Sequence, residues 1–399
     1  MFHVGIDISK FKHDCFIATN AGDKIGSFTF TNDHEGFQTL KDELESLGEQ
    51  SQIKIGFEST GHYGINLKSF LSKLGYTYLE FNPQLTNKFS KATSLRKAKT
   101  DKIDAKLIAS MLGHFDYKSL HTSFYHENDL KELVRLRDKY LESRSKELVN
   151  LTNILDKVFP EFKPFFNNTL GKTPMYILKR YKTKEKIAQL NQSHYETLRK
   201  MSMGKFSYPR FSNLRHLAKT SVGISSEIYK LVIPVIIDNY YNYCELIDQL
   251  DEQILILYNK TDSLIHTIPG VGIITAASIY AEIGNINRFN NASQLTAYAG
   301  LDVSVSQSGL KEHRGSIVRR GSPLLRKKLY NTSFMSLRFI PQFHDYYHRK
   351  KSTGKHHKIV LIHLCRKLLR IIFHLESNKR PFDINKVKWS VANYLPSYY

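Results

Sequence analysis

Short apolar runs separated by polar turns fill the amino-terminal part of the chain, a pattern typical of a domain rich in β-strands. The turn sequence Asn20-Ala21-Gly22-Asp23 joins two of these runs. Beyond it, the apolar spacing alternates between the helical and the extended period. The predicted elements are strands at residues 4–6, 15–20, 24–32, 53–57 and 77–81, and helices at 34–47, at 64–74 and from about 100. Their order, βββαβαβα, predicts a mixed α/β sheet.

Two later stretches, residues 128–158 and 240–264, carry apolar residues at seven-residue spacing, the period of a coiled coil. Arg137 and Arg144 interrupt the companion stripe of the first stretch, so the seam is short and imperfect. The pattern predicts either an antiparallel or intermolecular coiled coil, or an ordinary amphipathic hairpin packed within one chain. The repeating positions are Val134, Leu141, Leu148, Leu155, Ile247, Leu250, Ile254, Leu257 and Leu264.

A glycine-rich turn, Pro269-Gly270-Val271-Gly272, precedes a helix of small residues that we predict over 273–283. Such a turn between two helices can bring backbone N–H groups and a helix N-terminus close to a phosphate. The sequence therefore predicts a helix-hairpin-helix element in which Gly270 and Gly272 contact nucleic acid. The alternative is that the glycines only permit close packing of the helices.

These patterns divide a chain of 399 residues, which is long for a single domain, into several parts. We predict an α/β domain over 1–125, a helical and coiled-coil region over 126–265, and a mainly helical domain over 266–380. No function is assigned to the tail, 381–399, and the pattern gives no role to residues 159–226. The predicted fold class is α/β plus α.

Charge is the strongest compositional feature. The chain has 58 Lys and Arg against 37 Asp and Glu, a net charge of +21, which predicts a polyanionic partner. Residues 309–380 alone hold 18 Lys or Arg and three acids. Nucleic acid is favoured over a membrane because no run of 18 apolar residues and no signal segment is present. The 24 Phe and 23 Tyr could stack on unpaired bases, so RNA is a plausible ligand.

Three scattered cysteines predict neither a disulfide framework nor a zinc site, so a reducing cytoplasm is the expected location. Four carboxylates near the amino terminus carry the candidate chemistry. Asp7 follows the first predicted strand, Glu58 ends the fourth, and Asp101 and Asp104 share one face of the helix that starts near residue 100. Magnesium prefers oxygen ligands, and two ions about 3.5–4 Å apart can stabilise both oxygens of a phosphodiester displacement. Any one of these acids alone is more simply a strand-end or helix-capping residue.

The four acids sit where a ribonuclease-H-like domain places its metal ligands, and further motifs make the resemblance specific. The chain resembles the DEDD-type insertion-sequence transposases, which join a RuvC-like amino-terminal domain to a carboxy-terminal transposase domain. The matching stretches reach from residue 5 to about 370 and cover nearly the whole chain. They are GIDISK, GFESTGHYG, KTDKIDAKLIA, IPGVGIITAASIYAEIG, TAYAGLDVSVSQSG, RRGSPLLRKKLY and GKHHKIVLIHLCRKLL.

The resemblance implies that the four acids bind Mg²⁺. It also implies that Ser308 is a nucleophile that attacks DNA and becomes linked to it as a covalent phosphoserine. Without the resemblance, a serine before a glycine is most simply a turn residue, and Ser304, Ser306 and Ser316 are close rivals. No base that would activate Ser308 is evident in the sequence. Our hypothesis is that the metal cluster and Ser308 meet, in one subunit or between neighbouring subunits.

The resemblance also implies the partners. They are donor and target DNA, a structured guide RNA encoded by the element, and further copies of this chain in a dimer or tetramer. Base pairing would then supply much of the sequence choice. The expected location is the prokaryotic cytoplasm, with nucleoid association during activity.

Basic residues after the Ser308 block are candidates for phosphate contacts, because arginine binds phosphate through two parallel hydrogen bonds. A generic backbone-binding stripe is the alternative for each of them. Two other functions stay open: a RuvC-like Holliday-junction resolvase or nuclease that uses only the acids, and a non-catalytic RNA- or DNA-binding protein. The basic candidates are Arg314, Arg319, Arg320, Arg326, Lys327 and Lys328.

Overall fold

The computed structural model describes residues 1–59, 61–93, 101–114, 126–168, 170–308, 311–317 and 321–387. Of residues 84, 101–102, 126–128, 303–308 and 311–317 it describes the backbone only. The chain forms two compact units. The first contains residues 1–128 and 285–290, and the second contains 129–284 and 291–399.

The first unit is built on a five-stranded mixed sheet, which confirms the predicted α/β class. Its strand order is β3-β2-β1-β4-β5, with β1, β2 and β3 antiparallel and β1, β4 and β5 parallel. The strands are β1 Phe2–Ile8, β2 Lys12–Thr19, β3 Lys24–Thr31, β4 Ile53–Glu58 and β5 Tyr78–Phe81. The helices are α1 His34–Ser46, α2 Ile65–Lys73, α3 Pro83–Thr93 and α4 Asp101–His114. The sequence pattern missed α3.

Local chemistry fixes the helix on each face of this sheet. Asp33 caps α1 by accepting a hydrogen bond from the backbone N–H of Gly36 at 2.9 Å, and Leu40 and Leu44 of α1 are fully buried. The other face is covered by α4, whose Ile108 and Leu112 are buried with Phe81 of β5. The sheet therefore separates two apolar layers, as a layered α/β domain requires.

The second unit is almost entirely helical. Its elements are α5 His126–Val158, α6 Phe162–Phe165, α7 Lys172–Tyr181, α8 Lys184–Ala188, α9 Gln192–Met201, α10 Tyr208–Thr220, α11 Glu227–Tyr258, α12 Ile273–Ile283, α13 Ala292–Tyr298, β6 Val303–Ser308, β7 Lys311–Ile317, α14 Pro323–Ser336, α15 Pro341–Ser352 and α16 His357–Asn378. The antiparallel hairpin β6–β7 was not predicted.

The two long helices α5 and α11 lie antiparallel within one chain. Tyr140 faces Tyr243 with ring centroids 5.8 Å apart, and Glu147 accepts a hydrogen bond from Asn239 at 3.4 Å. The contacting residue numbers increase along α5 and decrease along α11, as expected for antiparallel helices. The prediction for α11 began too late, at residue 240 instead of Glu227, because Pro234 lies inside the helix, where proline usually ends one.

Residues 159–226, for which the sequence pattern predicted no role, form the helices that complete the core between α5 and α11. Large aromatic side chains dominate that core, and Phe159, Phe162 and Phe211 are almost fully buried. Burying such rings stabilises a domain by roughly 1.5–3 kcal/mol each. Many of the aromatics that suggested base stacking are therefore structural. In the part of the chain that the structure describes, no helix is both long and apolar enough to cross a bilayer.

Candidate active site and nucleic-acid interface

The ends of the parallel strands β1 and β4 bring two of the predicted acids to one level of the sheet. The strands are in register, with Gly5 beside Gly56 and Ile6 beside Phe57. The next positions along the two strands are Asp7 and Glu58. Both side chains are partly buried. The predicted strand ends thus place two carboxylates beside each other.

Both carboxylates lie on the sheet face that α4 covers. A Cβ atom on Gly5 would lie 2.2 Å from the carbonyl oxygen of Ala105, so α4 crosses β1 in direct backbone contact at this point. Side chains alternate along a strand, so Asp7, two residues after Gly5, projects from the same face. Asp104 precedes Ala105 on α4 and is partly buried. Two of the predicted acids therefore project from this face of the sheet, and a third, Asp104, lies on the helix that covers it.

Asp101 begins α4 one turn before Asp104, and its side chain lies outside the described residues. Among the side chains that are described, no group of three or more His, Cys, Asp or Glu residues is close enough to hold a metal ion. The donor chemistry suits a hard cation, because all of these acids offer oxygen ligands. The described acids thus supply oxygen ligands near one face of the sheet, but they do not form a complete coordination shell.

A neighbouring hydroxyl orients Glu58. Thr86 of α3 lies with its Oγ1 atom 2.6 Å from Glu58 Oε2 and 3.0 Å from the carbonyl oxygen of Pro83. Thr86 is only 4% exposed, so its hydrogen bond to the carboxylate is shielded from water. The sequence pattern missed this partner because it did not predict α3.

We expect Thr86→Val to lower metal affinity and metal-dependent activity by roughly 10–100-fold, the usual cost of losing a residue that orients a ligand. Valine keeps the shape of the side chain and removes the donor to Glu58. Thr86→Ser is the matched control, because it retains the hydroxyl. Titration of Mg²⁺ against DNA cleavage measures the effect, and equal activity of both variants would contradict it.

Asp14 is an acid that the sequence analysis did not identify. It lies directly opposite Asp7 in the β1–β2 ladder, so both side chains project from the face that α4 covers. It is 5% exposed, accepts a hydrogen bond from Thr29 Oγ1 at 2.7 Å and lies 4.0 Å from Lys12 Nζ. The predicted second strand began at residue 15, three residues after β2 begins, and so left Asp14 outside the sheet.

The glycine-rich turn has the conformation that its sequence requires. The N–H of Val271 donates to the carbonyl oxygen of Ile268 at 3.0 Å, and Gly270 has a φ of 86°, as expected for the third residue of a type II turn. Gly272 then begins α12 without a side-chain cap. The observed bounds of α12, Ile273–Ile283, match those predicted from the sequence.

The surroundings of this turn differ from a simple phosphate site. The element before it is a single turn of 3₁₀ helix, Ile265–Thr267. A cavity of about 470 Å³ at the N-terminus of α12 is lined by Asp251 and Glu252 of α11. Asp251 pairs with Arg137, and Glu252 places a further negative charge near this N-terminus, where it would repel a phosphate. Phosphate binding by Gly270 and Gly272 stays a prediction.

Ser308 is the last residue of β6, and its backbone pairs with Lys311 at the end of the β6–β7 hairpin. Arg314 lies on β7 opposite Val305. The side chains of both residues, and all of Arg319 and Arg320, lie outside the described residues. The structure places the backbone of Ser308 at a strand end, and its role as a nucleophile stays a prediction.

The remaining basic candidates lie on α14 and bind groups of their own unit. Arg326 donates to the carbonyl oxygens of Gly321 at 2.6 Å and Ala299 at 3.3 Å. Lys327 pairs with Asp138 of α5 at 2.8 Å, and burial lowers the pKa of Lys328, which lies 3.5 Å from the same carboxylate. These contacts hold α14 against α5 and α13, and contact with nucleic acid stays a prediction.

Comparison with known proteins finds transposases that are similar to two parts of this chain. One family model, described as Transposase and defined on DEDD enzymes of the IS110 type, matches residues 4–160. A second, described as Transposase IS116/IS110/IS902 family, matches residues 262–348. Over these two regions the chain is similar to transposases of the IS116/IS110/IS902 family.

Relatives match along nearly the whole chain. The pilin gene-inverting protein of Moraxella bovis is 26% identical over 391 residues, which are 96% of this chain and 97% of that protein. The IS116 protein of Streptomyces clavuligerus is 22% identical over 386 residues, 95% of each chain. The transposase of element IS1111A from Coxiella burnetii is 25% identical over 248 residues, 62% of this chain and 57% of that protein. These comparisons support a transposase or recombinase related to the proteins of insertion sequences.

Proposed function

We propose that the chain cleaves and rejoins donor and target DNA in a Mg²⁺-dependent reaction that passes through a phosphoserine at Ser308. The proposal rests on the register of β1 and β4, which places Asp7 beside Glu58 on the sheet face that α4 covers. Asp104 lies on that helix. The strand order β3-β2-β1-β4-β5 supports a ribonuclease-H-like, RuvC-like domain over residues 1–125. Residues 126–265 would then be the helical region, and 266–380 the transposase domain.

The acids are proposed to hold the metal. Asp7, Glu58, Asp101 and Asp104 would supply the oxygen ligands, with Thr86 holding Glu58 in place. When bound, Mg²⁺ would neutralise the charge that develops on the phosphate oxygens. Mutual repulsion among carboxylates on one face favours uptake of a cation there.

The covalent step is proposed to be a transesterification at phosphorus. Ser308 Oγ forms a bond to the scissile phosphorus as the bond from that phosphorus to a deoxyribose oxygen breaks. The proton that Ser308 loses ends on the released deoxyribose oxygen, so atoms and charge balance. Arg314, Arg319 and Arg320 are proposed to hold the scissile phosphate, and reversal of the step on a second strand completes the exchange.

An element-encoded structured RNA is proposed to choose the DNA sites by base pairing. The net charge of +21 supports a polyanionic partner of that kind. The name of the Moraxella bovis relative, a gene-inverting protein, supports strand exchange rather than cleavage alone. Since exchange cuts more than one strand, a dimer or tetramer is proposed to be the active form.

The test incubates the purified chain with element RNA, donor DNA and target DNA in Mg²⁺ and follows a DNA–protein adduct on a denaturing gel. We expect an adduct that mass spectrometry maps to Ser308. Ser308→Ala and Asp104→Asn should each abolish strand cleavage, the adduct and the recombinant product. Ser306→Ala is the matched control, because it changes the same residue type on the same strand.

Other outcomes separate the competing functions. Cleavage without an adduct, unaffected by Ser308→Ala, would identify a metal-only nuclease or resolvase. Binding of DNA and RNA without cleavage in any metal would identify a non-catalytic binding protein. Recombination at the same sites without RNA would remove the guide from the proposal and leave the serine chemistry standing.

A further inference from the structure

A basic cavity lies at the carboxy-terminal end of α16. The helix ends at Lys379, which adopts the left-handed conformation with φ of 49°, and the next backbone N–H, of Arg380, donates to Leu375 at 3.3 Å. The chain therefore turns back along its own helix. The space enclosed, about 660 Å³, lies between the α16 face that carries Lys367 and Arg370 and the segment 380–387. We call it the α16 cavity.

The returning segment is held in place at two points. The backbone N–H of Phe382 donates to Thr267 Oγ1 at 3.0 Å, and Gln342 Nε2 donates to the carbonyl oxygen of Ile384 at 3.2 Å. Thr267 belongs to the 3₁₀ turn before α12, and Gln342 belongs to α15. Because separate elements anchor the wall, the cavity is a built feature of the second unit.

The lining is strongly positive. Lys367, Arg370, Arg380 and Lys386 line the α16 cavity, and Asp383, 3.8 Å from Lys386, is the only carboxylate among its lining residues. A single acid cannot neutralise four cations, so the cavity has a net positive field that attracts anions.

More cations gather behind Lys367. Its Nζ atom lies 4.7 Å from the ring centroid of Tyr346, and Lys350 Nζ and Arg349 Cζ lie 5.9 and 5.8 Å from the same centroid. Burial, together with the positive charges of Arg370, Arg349 and Lys350, lowers the pKa of Lys367 to about 8. An anion in the cavity would relieve this repulsion and favour the charged form of Lys367.

Apolar groups share the lining with the cations. Phe382 presents a partly buried ring, and Ile371 and Leu375 face it from α16. A cavity of several hundred Å³ with apolar walls and a few charged groups suits a small organic group that carries phosphate. Aromatic and apolar surface beside basic side chains is the combination that holds unpaired bases.

We propose that the α16 cavity binds one unpaired nucleotide of a single-stranded stretch of RNA or DNA. Its phosphate contacts Lys367, Arg370 and Arg380, and its base lies against Phe382. The proposal rests on the nucleic-acid partners of the proposed function and not on the Ser308 chemistry. A duplex cannot occupy the site without losing a base pair, so binding should favour loops, ends and displaced strands.

The test measures binding of 12-residue single-stranded oligothymidine and oligouridine, and of a duplex of equal length, by fluorescence anisotropy without Mg²⁺. The variant Arg370→Gln/Arg380→Gln removes two exposed cations from the cavity. We expect it to reduce the salt slope of single-strand binding by about 0.7, the contribution of the one phosphate that both arginines contact. The matched control, Lys351→Gln/Lys358→Gln, removes the same charge from exposed positions outside the cavity lining.

A second variant tests the base contact. Phe382→Leu keeps an apolar side chain and removes the ring, so we expect about fivefold weaker oligonucleotide binding or more, with tripolyphosphate binding unchanged. Oligonucleotides that contain 5-iodouracil should cross-link to Phe382 under light. Tighter binding of the ribose or the deoxyribose oligonucleotide identifies which strand the cavity serves.

Three outcomes would overturn the proposal. They are equal losses in the cavity variant and its charge-matched control, equal losses of duplex and single-strand binding, and cross-links that map only outside residues 367–387. The measurement needs no catalysis, so it stays informative if the phosphoserine mechanism fails. Equally, a protein that recombines DNA but shows no cavity-dependent binding would refute this site alone. Thermal unfolding monitored by circular dichroism establishes that each variant is folded.

Discussion

Gly5→Ala is expected to destabilise the first unit by about 3 kcal/mol or more, at or beyond the upper end of the usual cost of overpacking. The added Cβ would lie 2.2 Å from the carbonyl oxygen of Ala105 and 2.4 Å from the backbone nitrogen of Ala109. Both obstacles are backbone atoms of α4, so no side-chain rotation can relieve the contact. The helix must move away from β1 as a body.

That movement also has a chemical consequence. Asp104 lies next to Ala105, and a displaced α4 would carry it away from Asp7 and Glu58 on the sheet. A shift of about 1 Å in a reacting group can cost roughly 100-fold in rate. We therefore expect strand cleavage by Gly5→Ala to fall at least that far, even in the fraction of molecules that stays folded.

Gly26→Ala is the matched control, because Gly26 lies on β3 of the same sheet and a Cβ there would meet nothing within 4 Å. Hydrogen exchange of β1 and β4 amides, followed by mass spectrometry, reports the local free energy of opening. Slow exchange and full cleavage in Gly5→Ala would contradict the close backbone contact between α4 and β1 at Gly5.

The positions of Asp7 and Glu58 near strand ends could be predicted from sequence because the signal is local. Each follows a short apolar run, and Asp7 is the next-to-last residue of β1 while Glu58 is the last residue of β4. The mixed sheet followed from the same runs. Asp14 escaped because its strand begins with polar residues, Lys12 and His13, and His13 is nevertheless fully buried. A polar strand start has no apolar pattern to reveal it.

Features created by tertiary contact could not be predicted. The chain turns into the α16 cavity wall at Lys379, which adopts a left-handed conformation. Glycine or asparagine at this position would have predicted such a turn, whereas lysine does not. The charge of the basic residues on α14 predicted contact with nucleic acid. In the structure, Lys327 forms ion pairs with Asp138 and Glu142 of α5, almost 190 positions earlier in the chain. Charge in the sequence does not reveal whether an acid of the same chain lies opposite.

Breaking a buried ion pair is the other change with a large expected effect. Glu282 is enclosed completely, and Arg135 of α5 donates to its two carboxylate oxygens at 2.6 and 3.1 Å. Burial alone would raise the pKa of Glu282, but hydrogen bonds from Arg135 and Ser322 outweigh it and lower that pKa below 4.5. The charge also sits in the last turn of α12, where the helix dipole disfavours it. Glu282 thus depends on its guanidinium partner.

Arg135→Ala is expected to cost about 3 kcal/mol of stability at pH 7, the lower end of the range for breaking a buried pair, because Arg135 is itself half exposed. Lys179→Ala is the control. It breaks the pair with Asp238, in which both side chains are at least half exposed, and should cost less than about 1 kcal/mol. Urea unfolding followed by helical circular dichroism measures both variants.

The pH dependence gives this prediction a second, independent readout. In the wild type, the lowered pKa of Glu282 contributes stability above pH 4.5 that is lost as pH falls through the folded-state value. Without Arg135, burial raises the pKa of Glu282 above its unfolded value, so the variant gains stability as pH falls from 7 and the buried carboxylate takes up a proton. The difference between variant and wild type should therefore shrink as pH falls from 7 toward 4.5. A difference independent of pH would mean that Arg135 stabilises the fold by packing alone.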